Sequence, residues 1–282
     1  MKILVTGYTG QLGYDVVQAG LEQGFDMVGI GSRDLNIVDG YSVSKFVKEI
    51  NPDAIIHCAA FTAVDKAEDD KENCWDINVN GTINLVNWAK EIKAKFMYIS
   101  TDYVFDGLGE RPFSETDAPN PAGFYGLTKL EGEKVVQSLL TEWFIVRISW
   151  AFGMNGKNFV KTMLQLADSR KEIHVVGDQV GSPTYTFELS RLLLDMIKTD
   201  KYGIYHATNE GFCSWAEFAE EIFRLTKKSV KVNTITTEEY SARAVRPRNS
   251  RMLKNKLIEK GFKPLPNWQD SLVHFLNALK TR

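Results

Sequence analysis

Tyr125 and Lys129 stand four residues apart in a stretch with helical spacing, so both face the same side about one turn apart. A free tyrosine titrates near pH ~10 and is a reluctant acid or base. A nearby ammonium favours the phenolate and lowers that value, which makes the pair a usable proton donor beside a reducible carbonyl. Thr101, in Ser100-Thr101-Asp102, offers a hydroxyl that can share a hydrogen bond with the same oxygen. Alone, the tyrosine–lysine spacing is common, and a threonine here also reads as a strand-end hydroxyl closing a local turn. The chemistry depends on what else the chain supplies.

The second constellation is Gly7-Tyr8-Thr9-Gly10-Gln11-Leu12-Gly13, between a short apolar run at 3–5 and a helical pattern over 11–23. Glycines at Gly7, Gly10 and Gly13 permit a tight turn and close approach of backbone N–H groups to a pyrophosphate, and the helix start adds positive potential. Gln11 and Leu12 open that helix. The spacing is Gly-x-x-Gly-x-x-Gly, and a ligand-free glycine turn is the alternative. At the end of the second strand, a site for a plain ribose would carry an acidic residue. Here Ser32 and Arg33 stand first, and a guanidinium matches phosphate geometry. NADPH is therefore favoured, with NADH the alternative because Asp34 follows. Asn36 and Ile37 fall near the adenine. Ala59 and Ala60 are small enough to let a cofactor cross the strand ends.

The elements that must position these groups alternate. Apolar runs at 26–30, 54–58, 96–99 and 144–148 read as buried strands, and 42–50, 74–92 and 123–139 read as helices. Strands of continuous apolar character between helices argue for an α/β fold with a doubly wound parallel Rossmann sheet covered on both faces. After Trp150 the rhythm loosens. Helices are expected at 158–167, 186–197, 252–260 and 269–279, and strands at 173–176, 204–207 and 230–235. Ser214 with Glu217 three residues on reads as a capping box opening a helix to 225. No repeat or low-complexity linker separates the halves. Residues 1–150 are expected to form the dinucleotide-binding domain, with 173–205 returning to it. Residues 151–172 and 206–282 are expected to form a smaller C-terminal α/β substrate lobe woven onto it.

The chain has 282 residues with 34 basic and 36 acidic side chains, a net charge of −2, which argues against a nucleic-acid footprint. Hydrophobic residues make up 44%, enough for a sizeable core. Cys58, Cys74 and Cys213 are scattered, as in a cytoplasmic protein with reduced thiols. The apolar run at 2–6 stops at Gly7, too short for a secretory leader, and no run reaches a membrane span. No His, Cys and carboxylate cluster has metal-ligand spacing, so no metal is expected. His57 and His206 lie in apolar strands and read as core histidines. Asn78, mid-helix, is a candidate for shaping a proton relay.

Taken together, Gly-x-x-Gly-x-x-Gly with Thr101 and Tyr125-x-x-x-Lys129 resembles the extended short-chain dehydrogenase/reductases. Ser100-Thr101-Asp102-Tyr103-Val104-Phe105-Asp106-Gly107 looks like the signature of the dTDP-4-dehydrorhamnose reductase family. Residues 58–68, Arg147-Ile148-Ser149-Trp150, 178–184, Ser214-Trp215 and 246–250 agree in order, so the resemblance covers nearly the whole chain. It implies that NAD(P)H reduces the C4 ketone of dTDP-4-dehydro-β-L-rhamnose to dTDP-β-L-rhamnose, the last step of dTDP-L-rhamnose synthesis for polysaccharides. Tyr125 would protonate the developing alkoxide. Lys129 would bind the nicotinamide ribose and tune Tyr125, and Thr101 would polarise the keto oxygen. Thr62, Val64, Asp102, Tyr103, Tyr125 and Trp150 would line the sugar site. Trp150 also reads as a half-buried core tryptophan. Arg243, Arg246 and Arg248 read equally as diphosphate partners or as a solvated basic loop. Related 4,6-dehydratases carry Asp-Glu after the threonine; here Tyr103 follows Asp102, which favours keto reduction over elimination. The partners implied are a nucleotide-sugar substrate and a possible homodimer, with neither nucleic acid nor membrane. Other readings are a 4-keto reductase for another deoxysugar nucleotide, or a non-catalytic regulatory subunit on the same fold.

Overall fold

The computed structural model describes residues 1–281. Five strands, β1 (Lys2–Thr6), β2 (Asp26–Ile30), β3 (Ala54–His57), β4 (Lys95–Thr101) and β5 (Trp143–Ile148), are joined at the β5 edge by Gly203–His206. The six strands run parallel in the order Gly203–His206, β5, β4, β3, β1, β2. The central strands are buried on both faces, which is why they read as unbroken apolar runs.

Two helix layers cover the sheet. On one face, α1 (Gln11–Glu22) packs with Thr186–Ile197 over Ile3, Val5, Ile56, Met97 and Val146. On the other, α2 (Gly40–Ile50), Gly81–Ile92 and Phe124–Leu139 cover Leu4, Ile55, Phe96, Tyr98 and Ile145. The connection after β2 returns to the far side of β1, so strand order reverses between β1 and β3. A cleft at the carboxyl ends of the strands opens there.

The return of the chain to this sheet begins later than residue 173. Glu172–Val176 pairs in parallel with Lys231–Ile235 and forms a small sheet of the second lobe. Glu172 and His174 are exposed, a half-wet pattern that suits a two-stranded ribbon better than a strand covered on both faces. The rejoining elements are Thr186–Ile197 and Gly203–His206. The second lobe has its own aromatic core, in which Phe152, Tyr185, Phe218 and Phe275 stack and meet edge-on. Ser214 and Glu217 form the reciprocal capping box that opens Trp215–Thr226. The helix expected over 252–260 shortens to Asn255–Glu259. The one expected over 74–92 contains a π-helical turn, Asp76–Asn80, a feature that often accompanies functional sites.

Candidate active site

A cleft of about 1250 Å³ runs from the first glycine turn across the strand ends to the second lobe. At its floor, Gly7 has φ 72°, and a Cβ there would lie 2.7 Å from the Ala59 nitrogen. A Cβ on Gly13 would lie 2.3 Å from the Gly7 carbonyl oxygen. Only glycine fits either position, and the resulting turn brings bare backbone to the start of α1. Residues that would hold a dinucleotide line this half: Gly7, Gly10, Gln11, Leu12, Gly13, Ser32, Asn36, Ile37, Ala59 and Ala60. The cradle is therefore shaped for a diphosphate carried on backbone N–H groups. Arg33 is exposed and does not line the cleft, unlike Ser32 beside it. The Asp34 carboxylate turns back to accept from the Gly31 N–H at 2.8 Å, so it closes the turn after β2.

The reacting groups meet at the middle of the cleft. Thr101 ends β4, Asp102 follows it, and Tyr125 and Lys129 project from Phe124–Leu139. Gly126 makes that approach possible, since a Cβ there would lie 2.0 Å from the Tyr103 carbonyl oxygen. Tyr125 and Lys129 are buried. The drop in the Tyr125 pKa that the spacing to Lys129 predicts is not what the site produces. Burial, then the Asp102 carboxylate, push the Tyr125 phenol above its ordinary value against the pull of the Thr101 hydroxyl. The lysine is drawn elsewhere: its Nζ lies 4.0 Å from the centre of the Tyr98 ring, and Glu133 follows one turn on. Burial brings the Lys129 ammonium down to about 7 although Glu133 acts to raise it. Glu133 is pinned by Arg147, through Nε at 2.8 Å and Nη2 at 2.6 Å, and accepts from the Ser100 hydroxyl.

Asp102 is almost fully buried, and burial raises it to about 6 against hydrogen bonds from Ser250 and Thr101. The Ser250 hydroxyl donates to Oδ2 at 2.5 Å, and the Thr101 hydroxyl to Oδ1 at 3.0 Å. A threonine hydroxyl carries one proton. Here Asp102 and the Tyr125 oxygen compete for that proton, so Thr101 serves a substrate oxygen only when the bond to Asp102 is given up. Ser250 belongs to the second lobe, which thereby touches the reacting centre.

The far end of the cleft is aromatic. Thr62, Val64, Tyr103 and Trp150 line it, and Tyr103 meets Tyr125 edge-on with centroids 5.4 Å apart. Trp150 stacks on Trp215 at 3.7 Å between centroids. Trp215 and Tyr240 line the same end without having been read as site residues, and Arg246, which reads equally as a diphosphate partner or as part of a solvated loop, lines it too. The signals were present: Trp215 follows the capping serine, and Arg246 lies in the basic stretch. Arg246 donates to Asp65 at 2.5 Å and to the Tyr103 hydroxyl at 3.4 Å. Arg243 pairs with Asp69, and Arg248 with Asp178 and Glu238, so these two are tied to surface carboxylates.

The remaining candidates are structural. His57 is wedged between the Thr6 and Thr82 hydroxyls at 2.7 and 3.2 Å, and burial holds it down at about 3. His206 bonds to the Leu253 carbonyl at 3.0 Å and is likewise held at about 3 by burial. The Asn78 amide oxygen accepts from the Phe61 N–H at 2.8 Å, and its nitrogen donates to Thr128 Oγ1 at 2.9 Å. Thr128 in turn donates to the Tyr125 carbonyl at 2.8 Å. The Asn78 side chain is thus consumed in positioning both walls of the site. Among the described residues, no group of three or more His, Cys, Asp and Glu is placed to hold a metal ion.

A doubly wound sheet with a diphosphate cradle at its switch point and a Thr–Tyr–Lys centre beside it defines a nicotinamide-nucleotide-dependent oxidoreductase of the extended short-chain type. The comparisons with known proteins narrow this class: the chain belongs to the RmlD substrate binding domain family, whose model matches residues 1–281. It is 36% identical to the dTDP-4-dehydrorhamnose reductase of Escherichia coli K12, covering 100% of this chain and 99% of that one. It is also 36% identical to the spore coat polysaccharide biosynthesis protein SpsK of Bacillus subtilis, covering 98% and 96%. Among solved structures it is similar to a dTDP-4-dehydrorhamnose reductase of Clostridium acetobutylicum, with TM-score 0.97, 42% identity and coverage of 99% and 100%. The Bacillus anthracis dTDP-4-dehydrorhamnose reductase in complex with NADP gives TM-score 0.96 at 40% identity, covering 98% and 99%.

Proposed function

We propose that the protein reduces the C4 ketone of dTDP-4-dehydro-β-L-rhamnose to dTDP-β-L-rhamnose with NADPH or NADH. The observation that carries this reading is one continuous cleft holding the diphosphate cradle, Tyr125 with Lys129 and Thr101, and the Trp150 wall. The bound nicotinamide supplies the hydride. Tyr125 stays protonated through the neutral range, because burial and Asp102 raise its pKa, and a protonated phenol is the form a reduction consumes. The proton passes from the Tyr125 oxygen to the alkoxide left when the ketone carbon accepts hydride. Lys129, buried beside the cradle, holds the nicotinamide ribose and stabilises the phenolate left behind. Thr101 orients the keto oxygen once its own proton leaves Asp102. Tyr103 fills the position where an eliminating enzyme carries a second acid, so the ketone is reduced without loss of water. Trp150, on its Trp215 backing, offers an apolar face to the deoxy side of the sugar.

The protein acts in the cytoplasm in this reading, where its three free thiols remain reduced, and it works as a homodimer. Light scattering tests the dimer. The activity is tested by following NADPH and NADH oxidation against a panel of 4-keto sugar nucleotides that varies both base and sugar. Oxidation that requires the dTDP-linked rhamnose precursor supports the assignment. Tight cofactor binding with no turnover of that substrate would falsify it, and preferential turnover of another panel member reassigns the sugar.

A further inference from the structure

The diphosphate cradle is gripped from behind by the second lobe. Asn155 lies between the Ala151–Phe152 strand and the Phe159–Ala167 helix. Its side-chain nitrogen donates to the Thr9 carbonyl at 2.9 Å and the Gly10 carbonyl at 3.0 Å. Asn158 donates to the Gln11 side-chain oxygen at 3.0 Å and to the Gly153 carbonyl at 2.8 Å, and its own oxygen caps the helix through the Lys161 N–H. The Lys161 ammonium ties the Met154 and Gly156 carbonyls from below at 2.7 and 3.0 Å. The loop is therefore firmly anchored to its own helix while it holds the glycine turn of the other lobe.

These contacts bear on the donors that the cradle presents. A peptide unit is planar and trans, so the Gly10 carbonyl and the Gln11 N–H point in opposite directions. Gripping the carbonyl aims the N–H. The first N–H groups of a helix have no acceptor within it, and Gln11, Leu12 and Gly13 line the cleft. Asn155 itself does not line the cleft, although Gly156 and Lys157 after it do, so it touches the cleft only through the backbone it holds.

We propose that Asn155, backed by Asn158, is a positioning residue for the cofactor diphosphate, through which the second lobe sets cofactor affinity from outside the sugar site. This rests on the reading of the cleft as a dinucleotide site. Asn155→Asp keeps the shape but turns an acceptor against two carbonyls; Asn155→Ala simply removes the donor. The experiment measures NADP+ and NAD+ dissociation constants by titration calorimetry, the urea midpoint of the cofactor-free protein, and turnover at saturating cofactor. For Asn155→Asp the dissociation constant rises about ten-fold, on the order of the net worth of one hydrogen bond out of the two that are lost. The factor is the same for both nucleotides, because they share the diphosphate, and it is smaller for Asn155→Ala. Affinity falls more than either turnover or the urea midpoint. Unchanged affinity in both variants overturns the proposal, as does an affinity loss matched by an equal loss of stability. If the wild-type protein binds neither nucleotide, the cofactor reading falls and the proposal with it. If it binds and Asn155→Asp binds as tightly, only the positioning role falls.

Discussion

Lys129→Met separates what the site needs from what the fold would prefer. The ammonium is buried, with the Tyr98 ring on one side and Glu133 one turn away, and burial lowers it from 10.5 to about 7. At about 1.4 kcal/mol per pH unit, that displacement corresponds to about 5 kcal/mol of disfavoured charge. The sign follows from linkage. Below pH 7 both folded and unfolded lysine are protonated and the full cost is present. Between about 7 and 10.5 only the unfolded chain keeps its proton, so stability rises with pH and the cost fades. Methionine keeps the aliphatic stem, removes the charge, and loses the ring contact, worth about 1 kcal/mol. We therefore expect the cofactor-free variant to be about 2–4 kcal/mol more stable than wild type at pH 6, with the difference shrinking steadily by pH 9.5. Urea denaturation at pH 6, 7.5 and 9.5 measures this, alongside turnover, which should fall at least about a hundred-fold. A variant less stable at pH 6, or a difference that does not change with pH, refutes the electrostatic account of Lys129.

Three other substitutions probe neighbouring steps. Tyr125→Phe removes the proton donor while leaving the cradle intact: turnover falls about a hundred-fold or more, and an unimpaired variant removes Tyr125 from the mechanism. Ser250→Ala takes away a hydrogen bond that lowers Asp102, so the Asp102 pKa climbs from about 6. The acid inflection in kcat/KM then shifts towards neutrality; an unmoved inflection means that the second lobe does not tune this carboxyl. Asn78→Ala leaves the Phe61 N–H without its acceptor and removes the bond that Thr128 accepts, and stability drops by about 2–3 kcal/mol in urea titrations. Its pH–rate profile keeps the wild-type inflections, whereas a relay role predicts that they change.

The cradle and the buried strands of the sheet were legible because both are written locally. Glycines at a strand-to-helix junction report a turn that no side chain fits, and unbroken apolar runs report strands covered on both faces. The electrostatics of Tyr125 and Lys129 were not legible, since they depend first on burial, which only the folded chain produces, and then for Tyr125 on Asp102, which reaches it from the turn after β4. Arg33 shows the same limit: its type suits a phosphate, yet its placement at the exposed end of β2 is a matter of geometry. The run at 173–176 was apolar enough for the main sheet, but alternation at Glu172 and His174 marks a ribbon, and its partner lies more than fifty residues on. Trp215 and Ser250 reach the site, and Asn155 the glycine turn beside it, from the second lobe, and spacing along the chain carries no record of such meetings.

Trp150 holds φ at 48°, a backbone conformation that a bulky side chain rarely adopts and that costs about 1–3 kcal/mol. Glycine would relax it, and Asn would come close. A search guided by backbone strain alone would therefore select position 150 early, yet each such change would erase the ring that stacks on Trp215 and faces the cleft, and with it packing worth at least about as much as the strain relieved. Backbone relaxation and the aromatic wall of the cleft compete at this one residue, so an engineered heat-resistant form should draw its gains from surface helices and leave this turn as it stands.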